Sequence, residues 1–109
     1  MEGYWYSTNG NNYSNIYRLK EFPKVEERIK PTKVSEEFIA KLEKLEALQK
    51  SAKKLRHYME YSKCRVCQCL NGTSEYYTDK WAWPTGYLHY LLEHNVRPTE
   101  EFYNYVMNS

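Results

Sequence analysis

Three cysteines, the only ones in the chain, lie within six consecutive residues, in the segment CRVCQC at 64–69. Cys64 and Cys67 are separated by two residues, a spacing at which a tight turn directs two thiolates at one metal ion. A disulfide scaffold is less consistent with this pattern, because it normally spreads an even number of cysteines along the chain. The cluster therefore predicts metal ligation in a reducing compartment, and a metal site restricts how the neighbouring segments can fold.

Two downstream histidines complete a set of four predicted ligands. His89 and His94 form an H-x4-H pair on a predicted helix, within the spacing of Cys2His2 zinc sites. Five residues turn an ideal helix through about 500°, so the imidazoles converge only if the last turn loosens, which Asn95 favours. We therefore predict a structural zinc site at Cys64, Cys67, His89 and His94. The 21 residues between Cys67 and His89 exceed the loop of a standard finger.

Two alternatives to this ligand set stay open. The cysteines can be buried as small apolar residues while the histidines line a core. Cys69 is expected to point away from the metal or into the core, but it is also an alternative ligand that could replace one histidine.

The aliphatic core is small for a chain of 109 residues. Leu, Ile, Val and Phe together account for 20 residues, about 18%, where ordinary burial becomes marginal. Twelve Tyr and three Trp supply much of the missing apolar area, with Trp81 and Trp83 as the first candidates for an aromatic core. A structural metal would contribute further stability.

Three segments of different character predict an α+β fold. Residues 1–34 form a Tyr- and Asn-rich extended arm, expected to pack as a strap on the domain, with Tyr4, Trp5 and Tyr6 as alternative anchors for a partner. Residues 35–61 are predicted to form one long amphipathic helix capped by Ser35, whose apolar stripe packs on its own domain or supports self-association.

Residues 62–109 are predicted to form a zinc-finger-like module of a hairpin and a helix, followed by a short C-terminal helix. Asn71-Gly72 indicates the hairpin turn, and Pro84 is placed near the first turn of the histidine-bearing helix. Thr99, after Pro98, is predicted to cap the terminal helix.

Composition narrows the functional classes. The sequence contains no apolar run of membrane-spanning length and does not start like a secretory leader, so we expect an intracellular protein without membrane contact. The zinc deaminase signature, a nucleophile arrangement and a glycine-rich phosphate loop are absent from the sequence, so we expect no enzymatic activity.

A nucleic-acid-binding zinc finger is the alternative function, although a net charge of +2 does not by itself argue for it. The residues that would contact phosphates are Lys50, Lys53, Lys54, Arg56, Lys63 and Arg65. A basic run is more often a solvated surface, and the start of the finger helix, around Thr85 and Tyr87, lacks base-reading side chains. We therefore favour a structural or protein-binding component, perhaps of a larger assembly.

Three segments of the sequence carry a resemblance to a group of small uncharacterised bacterial and viral proteins. The segments GYWYS, CRVCQC followed by NG, and WAWPTGYLHYLLEHNVRPTEEF resemble their shared G-Y-W-Y-S, C-R-x-C-x-C-x-N-G and W-P-x-G-x-x-H-Y motifs. The resemblance covers about the first 7 and the last 46 residues and omits the central helix. It implies that Cys64, Cys67, His89 and His94 act together, and it carries no activity with it.

Overall fold

The computed structural model describes residues 1–5, 22–57 and 61–109, which form a small α+β domain. Three α-helices are present in this part of the chain: α1 (Glu36–Ser51), α2 (Tyr87–Glu93) and α3 (Glu100–Met107). A short 3-10 helix spans Val25–Arg28. The three strands β1 (Leu55–His57), β2 (Ser74–Tyr77) and β3 (Ala82–Pro84) form an antiparallel sheet in the order β1-β2-β3.

Helix α1 begins where the sequence predicts. The Ser35 side chain accepts a hydrogen bond from the backbone N–H of Phe38, which satisfies one of the free donors of the first turn. Phe38, Leu42 and Leu45 are buried, whereas Leu48 is 58% exposed. The apolar stripe thus packs largely within its own domain, and self-association through this helix stays a prediction.

The predicted end of this helix at residue 61 is wrong. Helix α1 stops at Ser51, and Lys53 adopts a left-handed conformation with φ 59°, which turns the chain back. Leu55–His57 then pair with β2, with Leu55 opposite Tyr76. Pairing with β2 satisfies the hydrogen-bonding groups of the backbone here as well as a helix would. This contact therefore overrides the helical pattern of apolar residues in the sequence. Residues 58–60, which belonged to the predicted helix, lie outside the described part.

The hairpin lies later in the sequence than Asn71-Gly72 indicates. Strands β2 and β3 are joined by Thr78–Trp81, where the Thr78 backbone N–H donates to the Trp81 carbonyl at 2.7 Å. Asn71 and Gly72 instead lie on the returning arm of the cysteine segment, hydrogen-bonded to Ser62. Pro84 likewise ends β3 opposite Glu75 and does not lie in the first turn of α2.

The core is aromatic, as predicted. The Phe102 ring lies centrally and contacts Trp81 (5.0 Å between ring centroids), Trp83 (5.3 Å) and Tyr87 (5.7 Å). Trp83 and Tyr87 are fully buried, and Trp81 packs against the same cluster. Ring-to-ring contacts of this kind supply burial that the few aliphatic residues do not. Helix α3 carries Phe102 and is capped by the Thr99 side chain, as expected.

Glu2, Gly3 and Trp5 are buried against this core, which confirms the strap interpretation for the first five residues. The Glu2 carboxylate accepts hydrogen bonds from the Tyr87 hydroxyl (2.9 Å), the Thr99 backbone N–H (2.8 Å) and the Thr99 hydroxyl (2.9 Å). Gly3 has φ 79°, and a Cβ there would lie 2.6 Å from Tyr87 Cδ1. Only glycine combines this backbone conformation with so close an approach.

The prediction of an aromatic anchor for a partner is corrected for Trp5. This side chain is 5% exposed and packs edge-on against Tyr90, so it is a core residue. Tyr4 is half-buried and its hydroxyl donates to Glu75 Oε1 at 2.6 Å. Tyr6 lies outside the described residues.

None of the helices in the described ranges is long and apolar enough to cross a membrane.

Candidate metal centre

A tight loop presents the first two predicted ligands. Lys63 and Leu70 pair as an isolated antiparallel bridge at its base. Within the loop the Cys64 N–H donates to the Cys69 carbonyl and the Gln68 N–H donates to the Cys64 carbonyl, both at 2.9 Å. Gln68 closes the turn with φ 65°. The loop therefore brings Cys64, Cys67 and Cys69 close together.

Backbone amides support the Cys64 sulfur. The N–H groups of Val66 and Cys67 point at Cys64 Sγ, at 3.4 Å and 3.5 Å. Amide donors directed at a sulfur fix its position and support it as a metal ligand. Cys64 is fully buried, whereas Cys67 is exposed.

Helix α2 and its end present the two histidines. His89 lies on the helix, and His94 is its C-terminal cap with φ −125°, well outside helical values. Asn95 follows in the left-handed conformation with φ 53°. The loosened turn predicted from Asn95 is therefore confirmed, and it brings the two imidazole centroids to 5.0 Å from each other.

The four side chains lie close enough to hold a metal ion. One ligand atom from each of Cys64, Cys67, His89 and His94 lies within 4.8 Å of all the others. The Cys67 Sγ to His89 Nε2 distance is 3.4 Å, close to the about 3.5 Å between sulfur and nitrogen on a tetrahedral zinc ion. His94 Nε2 is buried and has no hydrogen-bond partner in the described structure. A metal ion would satisfy this nitrogen, so the residues fit such a group.

Cys69 lies beside the cluster, so the expectation that it points away is wrong. Its Sγ is 3.1 Å from Cys67 Sγ and 3.5 Å from His89 Nε2. Gln68, between the two cysteines, has φ 65°, and the turn that it closes leaves Cys69 on the same side as Cys67, toward the histidines. It is exposed, and the group of four that lies together contains both histidines and omits Cys69, so its role as an alternative ligand stays a prediction.

The thiol pair is electrostatically asymmetric. Hydrogen bonding from Cys69, with smaller contributions from His94 and His89, lowers the pKa of Cys67 from 9.0 to about 5. The same contact with Cys67 raises the pKa of Cys69. The two shifts are opposite in direction, and the lowered pKa belongs to the cysteine that lies in the group of four.

Tyr90 supports the cysteine loop through a hydrogen bond, a role that was not predicted from the sequence. Its hydroxyl accepts a hydrogen bond from the Arg65 backbone N–H at 2.8 Å. Burial raises the pKa of Tyr90, and the neighbouring Cys64 raises it further, so the hydroxyl keeps its proton beside the sulfur. The sequence signal for this role is that Tyr90 directly follows His89, on the helix predicted to carry the histidine ligands.

The six basic residues of the nucleic-acid alternative are spread over several elements. They lie at the end of α1, in the turn after it, on β1 and in the cysteine loop. Arg56 Nε lies 3.2 Å from Glu75 Oε2, and its guanidinium stacks on the Tyr77 ring. Arg65 donates to the Lys63 carbonyl. Lys50, Lys53 and Lys63 are exposed, and Lys54 is half-buried.

Comparison with protein-family models, with curated proteins and with solved structures finds no match to this chain. The arrangement of the four side chains therefore carries the functional argument, and the resemblance in the sequence stays a prediction.

Proposed function

We propose that this protein is a small structural zinc module that acts in protein interaction inside the cell, as a component of a larger assembly. The observation that carries the proposal is the convergence of Cys64, Cys67, His89 and His94 from two separate elements. Two thiolates and two imidazoles in tetrahedral reach are the donor set that zinc prefers. Four protein ligands leave no open position for water or substrate, so the site is structural and not catalytic.

The protein-interaction part of the proposal is supported by exposed apolar side chains in the metal-binding segments. Val66 (41% exposed) and Leu70 (63%) lie in the cysteine loop, and Leu92 (52%) lies on α2 between the two histidines. Tyr61, immediately before the loop, is 59% exposed. Large apolar side chains left in water beside a rigid metal site are typical of a surface that another protein covers.

A native mass spectrum of protein purified without chelator tests the metal directly. We expect one zinc ion per chain, and the same spectrum reports copy number and any carried nucleic acid. The variant His94→Gln should lose the ion. His57→Gln is the matched control, because His57 is the third histidine of the chain and lies on β1, outside the cluster.

The result that would overturn the proposal is a chain without metal, or zinc retained equally by both variants. Binding of an oligonucleotide that weakens steeply between low and physiological salt would instead favour the nucleic-acid alternative, because phosphate contacts are lost as salt rises.

A further inference from the structure

The site contains one more thiol than a tetrahedral ion needs from this ligand set. Cys69 Sγ lies 3.5 Å from His89 Nε2, nearly the same as the 3.4 Å from Cys67 Sγ to that nitrogen. Both distances match the sulfur-to-nitrogen separation on a zinc ion, about 3.5 Å. With respect to His89, the two sulfurs therefore occupy equivalent positions.

The two sulfurs are not placed as two ligands of one ion. Their separation is 3.1 Å, whereas two sulfurs on a tetrahedral zinc ion lie about 3.8 Å apart. Both are exposed, whereas Cys64 is fully buried. Cys67 belongs to the group of four ligand atoms that lie within 4.8 Å of one another, and Cys69 lies next to it. Cys67 and Cys69 thus compete for a single coordination position, and Cys64 has no such competitor.

We propose that Cys69 is an exchange ligand for Cys67, so that the ion is held by Cys64, His89, His94 and either of the two exposed thiolates. This inference rests on the proposed zinc function. When the ligands exchange, the bond to Cys67 Sγ breaks, the bond to Cys69 Sγ forms, and the proton passes from Cys69 to Cys67. No electrons are transferred, and the number of sulfur ligands stays at two.

Under this exchange, the ligand position shared by Cys67 and Cys69 is labile, whereas the positions of Cys64, His89 and His94 stay fixed. A free thiol held beside the bound one can take over the ligand position whenever the first is displaced or chemically blocked. The pair would therefore keep the module folded when one exposed cysteine is lost to oxidation or alkylation.

Chemical labelling of the intact zinc-loaded chain tests the exchange without any substitution. Limited iodoacetamide should add one carbamidomethyl group per chain, and fragment-ion spectra should place it on Cys67 in some molecules and on Cys69 in others. Singly labelled protein should retain its zinc. Labelling confined to Cys69 would overturn the inference, because it would mean that Cys67 is the fixed ligand.

Three serine variants complete the test, with cobalt as a spectroscopic probe of the thiolate ligands. Cys67→Ser and Cys69→Ser should each keep a two-thiolate cobalt spectrum and a zinc Kd within about tenfold of the parent chain. The double variant should lose at least about 100-fold in affinity, more than loss of a supporting contact costs.

The outcomes separate this inference from the proposed function. If Cys67→Ser alone abolishes zinc binding while Cys69→Ser does not, the exchange is refuted and the zinc module stands. A three-thiolate cobalt spectrum of the parent chain would also refute the exchange. If the parent chain binds neither zinc nor cobalt, the proposed function itself fails. Circular dichroism of each variant shows whether lost binding reflects lost folding.

Discussion

At the scale of single residues, Glu46 is the buried acid of the described ranges whose pKa shift leads to a clear pH dependence. It lies on α1, is 8% exposed, and accepts a hydrogen bond from Trp83 Nε1 at 2.9 Å. Burial, with a smaller contribution from the charge of Glu43, raises its pKa from 4.5 to about 7, although the Trp83 bond works against this. Between these values the folded chain holds a proton that the unfolded chain has lost. Stability is therefore greatest below about pH 4.5 and falls as the pH rises through 7. We expect Glu46→Gln to be more stable than the parent chain at pH 8, by up to about 3 kcal/mol, and by no more than about 1 kcal/mol at pH 5, because the amide keeps the Trp83 contact without the charge. Urea unfolding of both zinc-saturated chains at the two pH values measures this, and Glu27→Gln, at an exposed position of the 3-10 helix, is the control. A gap of the same size at both pH values would contradict the assignment.

Also at the residue scale, Tyr90 should contribute to metal affinity although it is not a ligand. Tyr90→Phe keeps the ring that packs on Trp5 and removes the hydroxyl next to Cys64 and the Arg65 amide. We expect the zinc Kd to rise by about tenfold, within the usual cost of losing a group that supports a ligand. Competition against a chromophoric chelator measures the Kd. Tyr105→Phe, on α3, is the control, and an equal effect there would assign the change to general stability.

The residue identities of the site were largely predictable, and its geometry only partly. Spacing alone identified Cys64, Cys67, His89 and His94, because a two-residue gap and a helical pair restrict which side chains can converge. The direction of Cys69 was predicted wrongly, since it depends on the left-handed conformation of Gln68. The role of Tyr90 depends on a contact 25 residues away in sequence, which no local pattern reports.

At the scale of secondary-structure elements, the N-terminal segment packs beside strand β3 of the sheet. The Glu2 N–H donates to the Ala82 carbonyl on β3, and Gly3 lies against Tyr87. We expect Gly3→Ala to cost about 1–3 kcal/mol, because alanine is strained at φ 79° and its Cβ would press on the Tyr87 ring. Thermal unfolding followed by circular dichroism measures the loss. Unchanged stability would show that residues 1–5 contribute little to the folded state.

Element ends with a side-chain cap were predictable, whereas strand pairings were not. Ser35 and Thr99 define helix starts through contacts three residues away, which a sequence displays directly. Strand β1 follows α1 after a three-residue turn and exists because β2 pairs with it. The helical pattern of apolar residues continues through Leu55 and does not indicate β2 as a strand partner. The sequence therefore predicted a helix that is too long. The hairpin was misplaced for the same reason, since Asn71-Gly72 is a good turn that serves the cysteine loop.

At the scale of the whole molecule, the proposed metal would join the cysteine loop to a helix that belongs to the core. Cys67 and Cys69 are exposed, whereas α2 buries Tyr87, Tyr90 and Leu91. We expect zinc to raise the free energy of unfolding by about 2.7 kcal/mol at a free concentration 100 times its Kd. Urea titrations at buffered zinc concentrations, followed by tryptophan fluorescence, measure this, and His94→Gln should show no dependence on zinc. Equal stability with and without chelator would contradict the structural role of the metal.

The contact between Glu2 and Thr99 has a consequence for how the protein is made. The two partners lie 97 positions apart in the sequence, so the segment around Glu2 cannot make this contact until the segment around Thr99 has emerged from the ribosome. Trp5 and Gly3 depend similarly on Tyr90 and Tyr87. The aromatic core therefore closes only after α2 and α3 have been synthesised, and until then residues 1–5 stay exposed to chaperones and proteases.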